Sequence, residues 1–404
     1  MPQEQSPPVA DSSETDYRLL IPFLAHTTVI QTLILIIRIT TSYRAIELGL
    51  PVVWLGIIAT GFAILPVFIA LPVGRWIDRG NDAKACWIGA ALIFVACIGF
   101  WLWPRSAMHL LAFSIVLGFG HTFCMAGHQM LAVRSNNPRS RENVLGYYMI
   151  AAAIGQGLGP LVVGWLGGGA AVPPTGQLFA IAFGASALSV IIALAIPPAR
   201  RPKRESEKTD FIPVGTLVRL RGLPAMFVAS VVTVTALDLL VIYLPVLGAE
   251  RHIEASHIGL LLTARSLASL VSRLFYARMI YGFGRVPLTL VSMLGAAAAF
   301  GALALPLSLP AMYGVMIMLG FAMGIASTLT ISGVVHIAPA EAYGTALTLR
   351  MTGNRIGQVL FPALSGLVAA VTGVAGILLI IGISLAVSGV AVPISLRARQ
   401  GPDL

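Results

Sequence analysis

Twelve apolar stretches, each of about 20 residues, follow one another along the chain and limit the folds open to it. A helix of about 20 apolar residues crosses the hydrocarbon core of a bilayer, which is about 30 Å thick. Charged residues form only 10% of the chain, whereas a soluble domain has about 25%. The sequence therefore excludes a soluble globular protein and predicts an all-α membrane protein with 12 transmembrane helices. The predicted spans are 19–41, 51–73, 85–103, 107–130, 144–166, 175–197, 223–247, 256–280, 286–306, 308–331, 346–370 and 372–396.

The spans fall into two sets of six, separated by the longest polar stretch of the chain. We therefore expect two six-helix bundles joined by a solvated linker. The expected units are an N-terminal tail at 1–18, a first bundle at 19–197, a linker at 198–222, a second bundle at 223–396 and a C-terminal tail at 397–404.

Basic residues are unequally divided between the two sides of the membrane. Only Arg44, Arg105 and Arg251 fall in the odd-numbered loops, whereas 18 basic residues lie in the termini and the even-numbered loops. Because basic loops stay in the cytoplasm, both termini are predicted to be cytoplasmic. The net charge of +10 follows from this topology and does not indicate a nucleic-acid partner. The excess of arginine over lysine indicates a bacterial protein, so the expected location is the plasma membrane, which is the bacterial inner membrane.

The two halves of the chain repeat one another. A shift of 202 residues aligns GQGLGPLVVG at 155–164 with GQVLFPALSG at 357–366, with five identities in ten positions. A shift of 203 aligns Gly56 with Gly259. Duplicated six-helix halves are typical of secondary transporters, whose solute site lies near the membrane midplane where the halves meet.

The loop after span 2 reads GRWIDRGNDAK at 74–84. It is similar to the pattern G-x-x-x-D-R-x-G-R-[RK], which the major facilitator superfamily carries between helices 2 and 3, so the chain resembles that superfamily. The resemblance implies a conformational latch formed by Gly74, Asp78, Arg79 and Lys84. In the second half, Tyr281 takes the place of the aspartate.

Span 5 resembles the G-x-x-x-G-P-x-x-G-G antiporter pattern of the same superfamily. Gly155, Gly159, Pro160 and Gly164 are assigned to helix packing, because glycines four residues apart let helices approach closely. The antiporter pattern implies export. The equivalent sequence in span 11 indicates instead a duplicated packing element, and span 4 lacks the arginine pattern of drug antiporters, so export is favoured only slightly.

Ionisable residues inside a membrane span are costly and normally face a cavity or the protein interior. Asp238 is the only acidic residue well inside a span, and spans 3, 6, 9 and 12 contain no charged residue. In the superfamily these four helices are peripheral. The basic residues and histidines assigned to the membrane are Arg38, Arg265, Arg273, Arg350, Arg355, His26, His121 and His128.

Two arginines are expected to meet near the midplane. At about 1.5 Å per residue, Arg265 lies about 14 Å from the outer end of span 8, and Arg355 lies at a similar depth in span 11. Arginine carries a fixed charge and a planar donor fork suited to carboxylates and phosphates, so we expect an anionic solute. The alternative is that one arginine forms a permanent structural pair with Asp238. The predicted solute-binding residues are Arg265, Arg355, Arg350, Asn354, Gln358, Gln31, Gln156 and Tyr243.

Asp238 is the predicted proton carrier. Low dielectric favours its neutral form, whereas a nearby arginine favours its charged form, so its protonation can depend on what occupies that arginine. His121 is the alternative titrating group, unless it is only a packing residue.

The sequence thus predicts a secondary transporter, coupled to protons, that moves a small organic anion by alternating access. Two alternatives remain: a multidrug antiporter for lipophilic cations, using Asp238 with Tyr243, Tyr147 and Tyr148, and a sensor that transports nothing. No catalytic constellation or phosphate-binding loop occurs, so neither an enzyme nor direct use of ATP is expected. We expect no cofactor and no metal, because the three cysteines are few and lie within apolar runs. The expected partners are the solute, protons and the lipid bilayer, and the expected state is a monomer.

Overall fold

The computed structural model describes residues 17–77, 79–132, 138–198, 214–339 and 342–397. These residues form helices joined by loops, with no strand among them, which confirms the predicted all-α fold. In chain order the helices are α1 (Tyr17–Glu47), α2 (Val53–Ile77), α3 (Asp82–Leu102), α4 (Ala107–Ala132), α5 (Pro138–Gly167), α6 (Thr175–Leu194), α7 (Val214–Val218), α8 (Leu223–Glu250), α9 (Ala255–Phe283), α10 (Arg285–Ala304), α11 (Leu309–Ile337) and α12 (Tyr343–Arg397).

The helices account for twelve membrane crossings. Among the described residues, ten helices are long and apolar enough to cross a membrane, and α2 contributes a shorter apolar helix, Val53–Ile69. Helix α12 has 55 residues, about 80 Å at about 1.5 Å per residue, which is enough for two crossings. Gly373 has φ 68° and ψ −175°, a conformation open to glycine that bends α12 between the predicted spans 11 and 12. Helices α8, α9, α10 and α11 correspond to spans 7 to 10, and the short α7 lies in the predicted linker.

Several helices continue past the predicted spans. Helix α1 runs to Glu47 rather than 41, and α11 runs to Ile337 rather than 331. Hydropathy marks only the part of a helix that lies in hydrocarbon. The helix itself continues because its backbone hydrogen bonds stay satisfied beyond the lipid.

Helices α1–α6 form one bundle and α8–α12 the other. Small residues let helices within a bundle approach closely: an added Cβ at Gly120 of α4 would lie 2.7 Å from the carbonyl oxygen of Gly89 on α3. The two bundles meet through α2 with α12, α5 with α9, and α1 with α8. We call the side on which α1 begins the inner side, and the charge distribution predicts that it is cytoplasmic.

The bundles are pressed together on the outer side by two equivalent contacts, which we call the outer seam. It joins Gly56 of α2 to α12 around Gly366, and Gly259 of α9 to α5 around Gly164. An added Cβ at Gly366 would lie 2.8 Å from the carbonyl oxygen of Val53. An added Cβ at Gly164 would lie 2.8 Å from the carbonyl oxygen of Ser256. Both sides of the seam therefore require glycine.

Two threonine hydrogen bonds continue the seam toward the midplane. Thr60 Oγ1 donates to the carbonyl oxygen of Val359, at 3.1 Å. Thr263 Oγ1 donates to the carbonyl oxygen of Gly157, at 3.2 Å. The threonines are related by the 203-residue shift and the acceptors by the 202-residue shift, so the sequence repeat builds the same contact twice.

Candidate functional site

A cavity of about 350 Å³ lies between the bundles. Its lining comes from α1, α2, α4, α5, α8, α9 and the part of α12 before Gly373, with no residue from α3, α6 or α10. It extends from the midplane toward the inner side, where Arg273 and Arg350 line it. Since the outer seam is closed, the structure is an inward-open conformation.

Asp238, the acidic residue that lines the cavity, forms an ion pair with an arginine of the opposite bundle. Arg38 Nη1 on α1 donates to Asp238 Oδ1 on α8, at 2.6 Å, and their side chains are 14% and 17% exposed. Gln358 Nε2 donates to the other carboxylate oxygen of Asp238, at 2.6 Å. Arg355 Nη1 in turn donates to Gln358 Oε1, at 3.1 Å. The phenyl ring of Phe62 lies 5.1 Å from the Arg38 guanidinium carbon, which places Arg38 between a carboxylate and an aromatic face.

Four further arginines line the cavity without forming an ion pair with any described residue. Arg265 is 7% exposed and donates from Nη2 to Ser266 Oγ, at 3.0 Å. Arg350 donates from Nη1 to Ser230 Oγ, at 2.8 Å. In both residues the buried Nε has no hydrogen-bond partner among the described residues. The four are Arg265, Arg273, Arg350 and Arg355.

The cavity consequently has a strong positive excess. Five arginines and one aspartate line it, a formal balance of four positive charges with histidine neutral. Arginine keeps its charge when buried, because its guanidinium does not deprotonate in proteins. Guanidinium groups held at low dielectric with free N–H donors are a preformed site for carboxylate or phosphate oxygens.

The uncharged predicted residues lie around this charge. Gln31 donates from Nε2 to Met125 Sδ, at 3.3 Å, and Gln156 lines the same wall. Asn354 accepts at Oδ1 from Ser230 Oγ, at 3.0 Å. His121 packs against Phe62 with ring centroids 5.5 Å apart, and its buried Nε2 has no partner among the described residues.

The structure brings nearly all of the predicted residues together and corrects two expectations. Tyr243 is fully buried outside the cavity, with its hydroxyl 3.0 Å from Ser365 Oγ, because its position on α8 faces α12 rather than the cavity. Asp238 pairs with Arg38, not with Arg265 or Arg355. Arg273, which the sequence assigns to the membrane, also lines the cavity. The predicted residues that line the cavity are Arg265, Arg355, Arg350, Asn354, Gln358, Gln31, Gln156, Asp238 and His121.

The predicted latch is only partly described, since Asp78 lies outside the described residues. An added Cβ at Gly74 would meet no atom of the described residues within 4 Å, so this glycine makes no close contact with any described helix in the inward-open state. Arg79 and Lys84 are exposed, and neither forms an ion pair with a described residue. The latch therefore stays a prediction.

The glycines assigned to packing on α5 lie against two different helices. An added Cβ would lie 2.5 Å from the carbonyl oxygen of Thr28 at Gly155, and 2.7 Å from that of Thr32 at Gly159. Gly155 and Gly159 thus pack on α1. Gly164 packs on α9 in the outer seam, where the carbonyl oxygen of Pro160 also contacts Gly259.

Comparison with known proteins identifies the family. The sequence model of the Major Facilitator Superfamily matches residues 19–252 and 226–403, which together span nearly the whole chain. The chain belongs to the Major Facilitator Superfamily. No curated protein matches it in sequence.

Solved structures show the same fold at low sequence identity. A bacterial homologue of the human lysosomal transporter Spinster, in an inward-facing and unoccupied conformation, is 15% identical with a TM-score of 0.77, covering 95% of this chain and 98% of that one. A mutant of the nucleoside transporter NupG is 16% identical with a TM-score of 0.74, covering 93% and 99%. The family and the fold make this chain a multi-pass membrane transporter of small molecules.

Proposed function

We propose that this protein is a secondary transporter that moves a small organic anion by alternating access. The observation that carries the proposal is the set of four cavity arginines without an acidic partner among the described residues. Desolvated positive charges are costly unless they are paired, and a bound carboxylate or phosphate supplies the pairing. The volume of about 350 Å³ lies at the low end of the range for small-molecule sites.

We propose that Asp238 links transport to protons. Its charge is stabilised by Arg38 and Gln358, so an anion that draws Arg38 away removes a stabilising partner and favours protonation of the carboxyl group. Protonation in turn removes one negative charge beside the anion. Each event therefore favours the other, and we expect the proton and the anion to cross together. His121 is the alternative carrier.

Transport direction then follows from the gradients. A proton and an anion that cross together are driven inward by an inward proton gradient. The glycine–proline pattern of span 5 favours export. A proton and an anion that cross together leave the cell only when the outward concentration gradient of the solute exceeds the inward proton gradient. We keep export as the prediction from sequence, and vesicles of defined orientation with opposed pH gradients test it.

The lining of the cavity is unfavourable for the lipophilic cations that a multidrug antiporter would carry. Lipophilic cations need an unpaired acid and aromatic walls, but Asp238 is engaged by Arg38. Tyr147, Tyr148 and Tyr243 do not line the cavity. A formal excess of four positive charges repels a cation.

We also propose a monomer in the bacterial inner membrane with both termini cytoplasmic. The charge bias of the loops supports the orientation. A protease added to right-side-out vesicles is expected to leave tags on both termini intact.

The test of function is thermal stability across a panel of carboxylates, organophosphates and lipophilic cations at two pH values. A ligand that binds the folded state raises its melting temperature by mass action. An anion should stabilise the wild type and Arg278→Gln, whose arginine is exposed on α9 outside the cavity. In Arg355→Gln its affinity should fall about 10- to 100-fold, because one charge-assisted hydrogen bond contributes about 1.5–3 kcal/mol. Stabilisation by cations alone would refute the proposal.

A further inference from the structure

Three buried side chains with metal-binding atoms meet outside the transport cavity. They are His26 on α1, Cys86 on α3 and His128 on α4, each 0% exposed. His26 Nδ1 lies 2.7 Å from His128 Nε2, and one ring nitrogen of each histidine lies within 4.8 Å of the Cys86 sulfur. None of the three lines the cavity, so the function proposed above does not use them.

The sequence predicts no metal site, because the three cysteines are few and lie within apolar runs, and His26, Cys86 and His128 are far apart along the chain. The fold brings them together near the inner ends of their helices. Cys86 is four residues after the start of α3 at Asp82, and His128 is four residues before the end of α4 at Ala132. At about 1.5 Å per residue, Cys86 and His128 therefore lie about one helical turn from the inner ends of α3 and α4.

We propose that His26, Cys86 and His128 bind a single Cu⁺ ion. Thiolate and imidazole are ligands that Cu⁺ accepts, and thiolate selects soft ions. On binding, the thiol releases its proton, and the thiolate sulfur and two imidazole nitrogens donate lone pairs to the metal. Cu⁺ plus one thiolate and two neutral imidazoles has no net charge, which suits a site at zero exposure.

The number of ligands also favours Cu⁺ over Zn²⁺. Among the described residues, no fourth histidine, cysteine or carboxylate joins the cluster. Zn²⁺ takes four ligands and would leave this set with one positive charge. The phenyl ring of Phe23 and the phenol ring of Tyr148 lie 5.8 and 6.4 Å from the His128 ring, so aromatic groups rather than solvent surround the site.

The alternative is a neutral histidine pair that shares one hydrogen bond. In that pair one facing nitrogen donates to the other, whereas His26 Nε2 and His128 Nδ1 are buried and have no partner among the described residues. Metal binding replaces the shared hydrogen bond with three coordinate bonds: the histidine that donates it moves its proton to its other ring nitrogen, and both facing nitrogens then bind the metal. It would tie α1, which carries Arg38 and Gln31, to α3 and α4.

The test is metal uptake by the purified full-length protein under anaerobic, reducing conditions. Cu⁺ is supplied from a competing chelator, Ag⁺ serves as a redox-inert probe of the same charge and softness, and Zn²⁺ is a separate arm. We expect about one Cu⁺ or Ag⁺ per chain after gel filtration, with a raised melting temperature. Cys86→Ser and His128→Gln should each weaken binding more than tenfold. Cys97→Ser removes a buried cysteine of α3 outside the cluster and should bind like the wild type.

Three outcomes would overturn the site: no stoichiometric uptake by the wild type, equal uptake by Cys86→Ser, or uptake of Zn²⁺ but not Cu⁺. If the variants do not fold, the chelator titration of the wild type decides whether the site exists. A buried site with three ligands should remove one Cu⁺ per chain from the chelator, and failure to do so would overturn the proposal. Uptake does not depend on the solute, so this result is independent of the transport proposal.

Discussion

Replacing Asp238 with asparagine should cost much more stability than replacing a comparable acid at the surface. The substitution preserves the shape of the side chain but removes the charge that Arg38 contacts at 2.6 Å. Arg38 then remains in the cavity as a fifth arginine without an acidic partner. The pair also joins the two bundles, through α1 and α8.

The magnitude follows from burial. Two unit charges about 4 Å apart interact with about 4 kcal/mol at an effective dielectric constant of 20, and removing one member of a fully buried pair costs about 3–5 kcal/mol. The two side chains keep 14% and 17% exposure, which lowers the cost. We therefore expect Asp238→Asn to destabilise the protein by about 2–4 kcal/mol.

The surface pair Arg44–Glu47 provides a matched control. Its N···O distance is 2.7 Å, close to that of the cavity pair, but both side chains are 26% exposed. A partly exposed pair of this kind contributes roughly 0–1 kcal/mol, and the amide oxygen of a glutamine can still accept the hydrogen bond that Thr175 Oγ1 donates to Glu47. Glu47→Gln should therefore change stability much less than Asp238→Asn.

Denaturant unfolding of the purified variants measures both effects. The double variant Arg38→Gln/Asp238→Asn removes both charges and should recover part of the loss, giving a coupling energy of about 1–3 kcal/mol. Equal losses in Asp238→Asn and Glu47→Gln, or strictly additive effects in the double variant, would show that the cavity pair does not stabilise this state.

Two further predictions concern the seam and the inner part of the cavity. Gly259→Leu should hold the outer ends of α5 and α9 apart, because a Cβ added at Gly259 already contacts Gly164 Cα. Spin labels at these two helix ends should report longer distances in this variant than in the control Gly282→Leu, because a Cβ added at Gly282 meets open space. Arg273→Gln should weaken anion binding less than Arg265→Gln, since Arg265 is buried and Arg273 is half-buried toward the inner side. Titration calorimetry of both variants measures the two affinities. An equal loss of affinity would place the anion between the two residues.

The spans and the charged site residues were predictable for one physical reason. Lipid requires apolar stretches of a set length, and ionisable groups within them must face a cavity. Arg265, Arg355 and Asp238, assigned to the membrane from sequence, all line the cavity, and their roles in solute binding and proton coupling stay predictions. The repeat also carried spatial information, since Gly56 and Gly259 occupy equivalent places in the outer seam.

Side-chain direction was not predictable for uncharged residues. Helix α8 is apolar on all sides, so periodicity does not distinguish its cavity face from its buried face, and Tyr243 was assigned to the wrong one. The partner of Asp238 depends on how the two bundles dock, which no local pattern encodes. Arg38 was nevertheless detectable, because it lies 200 residues before Asp238, close to the repeat length, at an equivalent depth in the other half.

We propose that the arginine cavity carries anions across the membrane. Exchange of a radiolabelled anion, chosen from the stabilising members of the panel, across liposomes containing the purified protein tests this directly. We predict rapid exchange by the wild type and by Arg278→Gln, and at least tenfold slower exchange by Arg265→Gln and by Arg355→Gln. Unchanged exchange in both cavity variants, or exchange of a lipophilic cation and of no anion, would show that the cavity arginines do not carry an anion.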